Sequence, residues 1–140
     1  MSFSWTASTV LLLILAASIA GCSGEKAVKM RKALWVTRWD YNSAEDVRTI
    51  FANAAEGGFD TVLFQVRGNA TVFYPSNLEP WAEEFDHRHP GFDPLAIACE
   101  EAGRHHLSIH AWVNAIPGWR GDKIPESQEQ LYNSHPGWLL

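Results

Sequence analysis

The chain has 140 residues and a formal net charge of −5, from 11 Lys and Arg against 16 Asp and Glu. An acidic chain without a basic run is poorly suited to a phosphate backbone, so no nucleic-acid partner is expected. Seven tryptophans are an unusual number. Flat indole rings suit stacking on sugars, but ordinary core and interface packing uses them too, so composition alone does not choose between these roles.

Residues 1–22 resemble a bacterial lipoprotein export signal. The stretch from Val10 to Ala20 is apolar and uncharged, and it is too short to span a bilayer as a helix. Small residues then lead to Cys22, as in a lipobox, where the thiol accepts a diacylglyceryl group before cleavage. The sequence therefore predicts lipidation of Cys22, attachment to a membrane through that lipid, and an extracytoplasmic location in the cell envelope.

Two features bear on this interpretation. An export signal normally opens with Lys or Arg, whereas the first basic residue here is Lys26. A short buried helix of a soluble domain is the alternative for the apolar stretch, although such helices rarely precede a lipobox at the N-terminus. With Cys22 lipidated, Cys99 has no partner for an internal disulfide.

After the signal, residues 23–32 are small and charged and are predicted to form a tether, followed by a domain at 33–140. The run 33–39 is mostly apolar and favours a buried strand. Ser43 and Asp46 have the spacing of a capping box at the start of a helix. The apolar face of that helix consists of Val47, Ile50, Phe51 and Ala54. The helix is predicted to end at Gly57 and Gly58.

The second half repeats this alternation. Residues 61–67 are predicted to form a buried strand, and a long loop follows at 68–92. Asp93 and Pro94 are an N-cap and a first-turn proline, and the run 107–114 is the third predicted strand. The apolar face of this second helix is expected to bury four residues, with a core thiol among them: Leu95, Ala98, Cys99 and Ala102.

The order β-α-β-α-β predicts three parallel strands, and their continuous apolar character favours a sheet covered on both faces. No Gly-x-Gly-x-x-Gly follows the first strand, so a barrel is favoured over a doubly wound dinucleotide fold. A full (β/α)8 TIM barrel takes about 250 residues. The predicted fold class is therefore α/β, with three strands and two main helices forming the N-terminal part of a TIM barrel, either truncated or from a broken gene.

Several blocks in the same order resemble the glycosyl hydrolase-like 10 family, which contains exported bacterial (β/α)8 proteins. The blocks are ALWVTRW (33–39), FQVRGN (64–69), FYPS (73–76), EPW (79–81), GFDPL (91–95) and HAWVN (110–114). The resemblance covers residues 33–140 and implies a polysaccharide hydrolase; some members act on peptidoglycan glycan strands stripped of peptides. It also implies that the family's acidic segment would fall beyond Leu140, so the catalytic acids are not assigned.

In barrels the active site lies at the C-terminal ends of the strands. The predicted strand ends carry polar groups for sugar hydroxyls and indoles for the C–H face of a sugar ring. The candidate substrate-binding residues are Arg38, Trp39, Gln65, Arg67, Asn69, Tyr74, Trp112 and Asn114. The alternative for each is that strand ends are polar because they emerge into water, and Tyr74 could equally pack to anchor its loop.

Arg67 is the strongest single candidate, because a guanidinium beside Gly68 can bind a hydroxyl or carboxylate with two hydrogen bonds. Asp40 is the one carboxylate at a predicted strand end and is expected to have a supporting role at most. The acidic cluster 83–86 is expected to be a solvated loop. His110 is expected to be a hydrogen-bonded histidine in the barrel interior.

The histidines at 87, 89, 105 and 106 invite a metal interpretation, but no carboxylate or cysteine lies at a known zinc spacing from them. No metal and no other cofactor is therefore expected. Three hypotheses remain: a glycoside hydrolase acting on a cell-envelope polysaccharide, a non-catalytic lipoprotein that binds glycan or protein, and a metal-dependent amidase or deacetylase barrel. The first is favoured, with a polysaccharide substrate as the expected partner.

Overall fold

The structure, a computed structural model, describes residues 30–139 of the chain. The predicted export signal at 1–22 lies outside these residues together with Cys22, and so does nearly all of the predicted tether at 23–32. Within the described part of the chain, no helix combines the length and the apolar character needed to cross a membrane.

A three-stranded parallel sheet organises the fold. β1 comprises Ala33–Val36, β2 comprises Thr61–Arg67 and β3 comprises Ser108–Val113, and they lie in the order β1-β2-β3 with β2 in the centre. The structure thus confirms the predicted α/β alternation and the predicted parallel pairing. β2 has the predicted bounds. β1 and β3 end before the predicted residues, where the chain turns into the loops at the sheet edge, and β3 also begins one residue later than predicted.

Two main helices connect the strands, as predicted. α1 comprises Ala44–Glu56 and α2 comprises Pro94–Arg104; they pack against each other on one face of the sheet. A short α3 comprises Leu131–Ser134, and two 3-10 turns comprise Glu83–Phe85 and Pro136–Trp138. The first of these turns gives the long loop between β2 and α2 local structure of its own, whereas α3 and the second turn follow β3.

The predicted capping box at the start of α1 is confirmed. Ser43 Oγ accepts a hydrogen bond from the Asp46 N–H at 3.1 Å, and Asp46 Oδ2 accepts from the Ser43 N–H at 2.9 Å. The same carboxylate accepts from the Asn42 N–H at 3.0 Å. These donors favour the charged form, the Asn42 N–H most strongly, and they lower the pKa of Asp46.

The core lies between the two main helices and the sheet. Val62, Phe64 and Val66 of β2 point to the helix side and are almost fully buried against Phe51 of α1 and its neighbours. Burying a side chain of this size contributes roughly 1.5–3 kcal/mol relative to leaving it in water. The predicted apolar face of α1 is confirmed, because three of its residues are buried and the fourth is half-buried: Val47, Phe51, Ala54 and Ile50.

The predicted face of α2 is wrong at one position. Cys99 is exposed, and Glu101 is buried instead, with 2% of its surface accessible. The Glu101 carboxylate lies 3.1 Å from Arg104 Nη1 and 3.8 Å from Arg48 Nε of α1. Cations from both helices compensate the burial of this charge. Apolar residues complete the buried face of α2: Pro94, Ala98 and Ala102.

The other face of the sheet is open within residues 30–139, whereas cover on both faces was predicted. Trp35 is 66% exposed there, and its ring stacks on that of Trp112 with centroids 5.4 Å apart. Leu63 pairs in register with Trp35 on one side and with His110 on the other. His110 lies on this face, the one that points inward in a barrel, and it is exposed among the described residues; its predicted hydrogen bond stays a prediction.

Replacing Asp46 tests the capping box. Asp46→Asn is expected to lower the free energy of unfolding at neutral pH, because it removes the charge that the backbone N–H groups favour. A carboxyl group whose pKa is lowered by folding stabilises the folded state at pH values above its unfolded pKa. This contribution is lost as the pH falls through the folded pKa. Wild type and variant should therefore converge below the ordinary value of 3.8 in urea unfolding at stepped pH. A difference that persists unchanged at low pH would contradict this assignment.

Candidate functional site

A cleft of about 600 Å³ opens at the carboxyl ends of the strands. Six of the predicted site residues line it, and they come from all three strand ends: Arg38, Trp39, Gln65, Asn69, Trp112 and Asn114. Glu83, Pro117 and Arg120 complete the lining. The volume is within the range of small-molecule sites. The cleft also lies where parallel α/β folds place their ligands.

Arg38 forms one wall of the cleft from the turn after β1. Its side chain is largely buried, and Nε lies 2.9 Å from Glu84 Oε1. The guanidinium crosses the backbone of Gly68, where an added Cβ would lie 2.9 Å from Arg38 Cζ and closer still to Nη1. It also lies 4.6 Å from the ring centroid of Trp39, a cation–π distance. The Arg38 charge is thus compensated inside the protein.

Gln65 links the ends of β1 and β2. Its Oε1 accepts from the Arg38 N–H at 3.1 Å, and its Nε2 donates to the carbonyl oxygen of Arg67 at 3.4 Å. The Gln65 carbonyl accepts from the Tyr41 hydroxyl at 2.7 Å. Burial raises the pKa of Tyr41, with further contributions from the charges of Glu84 and Asp40, so the phenol stays a neutral donor.

Two tryptophans supply the apolar surface of the cleft. Trp39 is 70% exposed, so its ring is accessible to a ligand. Trp112 is half-buried, and its Nε1 donates to Asn114 Oδ1 at 2.9 Å, which fixes the orientation of the indole. Asn69 lies beside them and is nearly buried. Indole faces together with amide donors and acceptors are the groups that bind a sugar ring.

Arg67 lies outside this cleft lining, although it was the strongest candidate from sequence. Its guanidinium forms a bidentate pair with Glu79, with Nε donating to Oε2 at 2.6 Å and Nη2 to Oε1. Nη1 donates to the carbonyl oxygens of Asn114 and Ala115. The hydrogen bond with Glu79 is the main cause that raises the pKa of Arg67. Arg67 therefore links the loops after β2 and β3, and its contact with substrate stays a prediction.

Tyr74 is also separate from the other candidates. It is half-buried and packs against the core, as the loop-anchor alternative requires. It also lines a neighbouring cleft of about 470 Å³ with Glu79, Leu131 and Trp138 among others. The packing agrees with the loop-anchor role, whereas the contact of Tyr74 with substrate stays a prediction.

The sequence did not reveal one carboxylate that lines the cleft, Glu83, and one that pairs with a lining residue, Glu84. The cluster 83–86 was expected to be a solvated loop, yet the Glu84 side chain is 17% exposed and pairs with Arg38, and Glu83 lines the cleft. No local sequence pattern reveals these positions of Glu83 and Glu84. They arise because the loop folds back, with the backbone of Val72 paired to both Arg67 and Trp81.

Asp40 and the histidines have local roles. Asp40 Oδ2 accepts from the Thr37 N–H at 2.6 Å and from its hydroxyl at 2.8 Å, which stabilises the turn after β1. His87 Nδ1 lies 3.1 Å from the Trp81 carbonyl oxygen. Among residues 30–139, no three His, Cys, Asp or Glu side chains converge as a metal site requires.

The fold and the cleft define a class: an α/β protein built like the start of a TIM barrel, with a strand-end cleft whose groups suit a carbohydrate. Residues 29–140 match the family described as glycosyl hydrolase-like 10. Since this match covers most of the chain, the protein belongs to that family, which is a family of barrel proteins. The resemblance seen in the sequence blocks is confirmed.

Curated relatives agree with this assignment. The chain is 34% identical over 87 residues to glycosyl hydrolase YngK of Bacillus subtilis (strain 168). It is 30% identical over 95 residues to glycosyl hydrolase DigH of Escherichia coli (strain K12). Each match covers 59% of this chain, but 17% of the first relative and 22% of the second. The chain thus matches only about a fifth of the length of these relatives.

Adding a methyl group at Gly68 tests the packing of the cleft wall. Gly68→Ala is expected to displace the buried Arg38 guanidinium and to lower the free energy of unfolding by about 1–3 kcal/mol, the usual cost of overpacking. Gly103→Ala in α2 is the matched control, because an added Cβ there meets nothing within 4 Å. That control should be stabilising by roughly 0.5–1 kcal/mol. Equal changes in the free energy of unfolding for the two variants, measured by urea unfolding, would contradict the close approach of the Arg38 guanidinium to Gly68.

Proposed function

We propose that the protein is a glycoside hydrolase-like lipoprotein that acts on a cell-envelope polysaccharide, such as the glycan strands of peptidoglycan. The observation that carries this proposal is the strand-end cleft, in which Trp39 and Trp112 combine with amide side chains on a parallel sheet. Membership of the glycosyl hydrolase-like 10 family and the similarity to two proteins named as glycosyl hydrolases support the hydrolase class. The polysaccharide and the lipid anchor rest on the sequence.

The cleft offers distinct groups for the two surfaces of a sugar. The accessible ring of Trp39 presents an apolar face to the C–H side of a pyranose. The amides of Asn69 and Asn114 lie beside it and can donate to or accept from hydroxyls. Because Arg38 and Gln65 bond to protein groups, these two residues position the cleft wall around the ligand.

Binding without hydrolysis is the second candidate function. Glycoside hydrolysis needs two carboxyl groups on either side of the scissile bond, one acting as acid and the other as base or nucleophile. Among the described residues that line the strand-end cleft, Glu83 is the one carboxylate. Affinity for glycan strands without release of reducing ends would favour this candidate, and new reducing ends would favour the hydrolase.

Replacing Trp39 tests the cleft as a glycan site. Trp39→Ala is expected to weaken binding of peptide-free peptidoglycan strands about tenfold, the loss of one good stacking contact, in isothermal titration calorimetry. Ile116→Ala is the matched control, because Ile116 is 94% exposed and lines no cleft described above. Affinity that is equal in wild type, variant and control would exclude Trp39 from the site.

Replacing Cys22 tests the lipid anchor. Cys22→Ala is expected to abolish incorporation of labelled fatty acid in cells, because the acylation nucleophile is lost. Cys99→Ala is the control: Cys99 is exposed on α2, outside the lipobox, and its replacement should leave labelling unchanged. Labelling that survives in the Cys22 variant, or is absent from the wild type, would overturn the proposed anchor.

A further inference from the structure

A second cavity, of about 680 Å³, adjoins the strand-end cleft. Glu83 lines both spaces. Trp119 lines the second cavity, and the next residue along the chain, Arg120, lines the cleft. A shared carboxylate and two consecutive residues on either side place the two spaces next to each other.

A buried amide links the two spaces. Gln130 is fully buried, and its Nε2 donates to the carbonyl oxygen of Asn69, which lines the cleft, at 2.6 Å. The same Nε2 donates to the carbonyl oxygen of Gly118, directly before Trp119. Since unmade hydrogen bonds of a buried amide are costly, Gln130 fixes the Trp119 loop relative to the cleft.

The Trp119 ring is itself oriented. Its Nε1 donates to the carbonyl oxygen of Lys123 at 2.7 Å. The backbone of Gly121 lies against the indole, because an added Cβ there would be 3.3 Å from the ring. The ring is half-buried and contributes to the wall of the second cavity. It therefore offers a pre-oriented apolar surface, which limits the entropy lost on binding.

The charges around Trp119 are of both signs. Three carboxylates, two cations and one histidine line the same cavity: Glu83, Asp86 and Glu126, then Arg88 and Lys123, then His87. Such a lining supplies hydrogen-bond acceptors and donors with no strong excess of either sign, which favours an uncharged sugar unit at this cavity over a phosphate group.

We propose that the Trp119 cavity is a second glycan-binding subsite, so that the cleft and this cavity bind successive disaccharide segments of one glycan, with Glu83 at the boundary between them. This inference rests on the proposed function, because it takes the strand-end cleft as the first subsite. It assigns Trp119 the role of a stacking platform for a neutral sugar. Ligands long enough to reach both subsites then bind more tightly than ligands that fill one.

Chain-length dependence tests the proposal. Calorimetry with the full chain would compare a disaccharide and a hexasaccharide of β-linked N-acetylglucosamine. The wild type should bind the hexasaccharide more tightly than the disaccharide. Trp119→Ala should lower the affinity for the hexasaccharide about tenfold and leave the affinity for the disaccharide unchanged. Trp119→Phe keeps an apolar ring and should retain most of the hexasaccharide affinity. Ile116 lies in the same loop region but lines neither cavity, so Ile116→Ala is the control and should leave both affinities unchanged.

The outcomes separate the two proposals. Unchanged hexasaccharide affinity in Trp119→Ala, or an equal loss for both ligands, would overturn the second subsite and leave the first intact. A wild type that binds neither oligosaccharide would overturn the proposed glycan site itself. The unfolding midpoint of each variant shows whether a loss of affinity reflects a loss of fold.

Discussion

The buried guanidinium of Arg38 sets how the ends of β1 and β2 fit together. It crosses Gly68 where no side chain has room, and it pairs with Glu84 from the loop after β2. A buried cation without a partner would cost several kcal/mol, so that loop must return to the sheet edge for the turn after β1 to adopt its position. The wall of the strand-end cleft therefore depends on an ion pair between two segments distant in the chain.

The same principle recurs around the cleft. Arg67 bonds to Glu79 and to two carbonyl oxygens after β3, and Gln130 bonds to two carbonyl oxygens on separate loops. In each case a long polar side chain satisfies loop backbone groups that no strand or helix pairs. Loops fixed in this way hold Asn69 and Trp119 in defined positions, which is the condition for a ligand site that needs little rearrangement on binding.

Local patterns predicted local structure well. The capping box at Ser43 could be identified because its two partners are close in sequence, and the strand-end rule placed six residues in one cleft because parallel strands end at the same edge. Prediction failed where distant partners decide. Glu84 belongs to no local sequence pattern, yet it forms an ion pair with Arg38, which is distant in the chain. Glu101 is buried, whereas Cys99 is exposed, because cations of α1 and α2 lie close enough to compensate the Glu101 carboxylate.

The parallel sheet also determines when the cleft can exist. Arg38 and Gln65, which bond to each other, are 27 residues apart, and Arg67 and Asn114 are 47 apart. Closing such loops costs chain entropy before any contact offsets it, so folds rich in distant contacts form slowly. α1 and α2 can begin to form from local hydrogen bonds, whereas the cleft requires all three strands in register. Ligand-binding competence is thus acquired late in folding. The two helices can form before β3 has joined the sheet, whereas the cleft cannot.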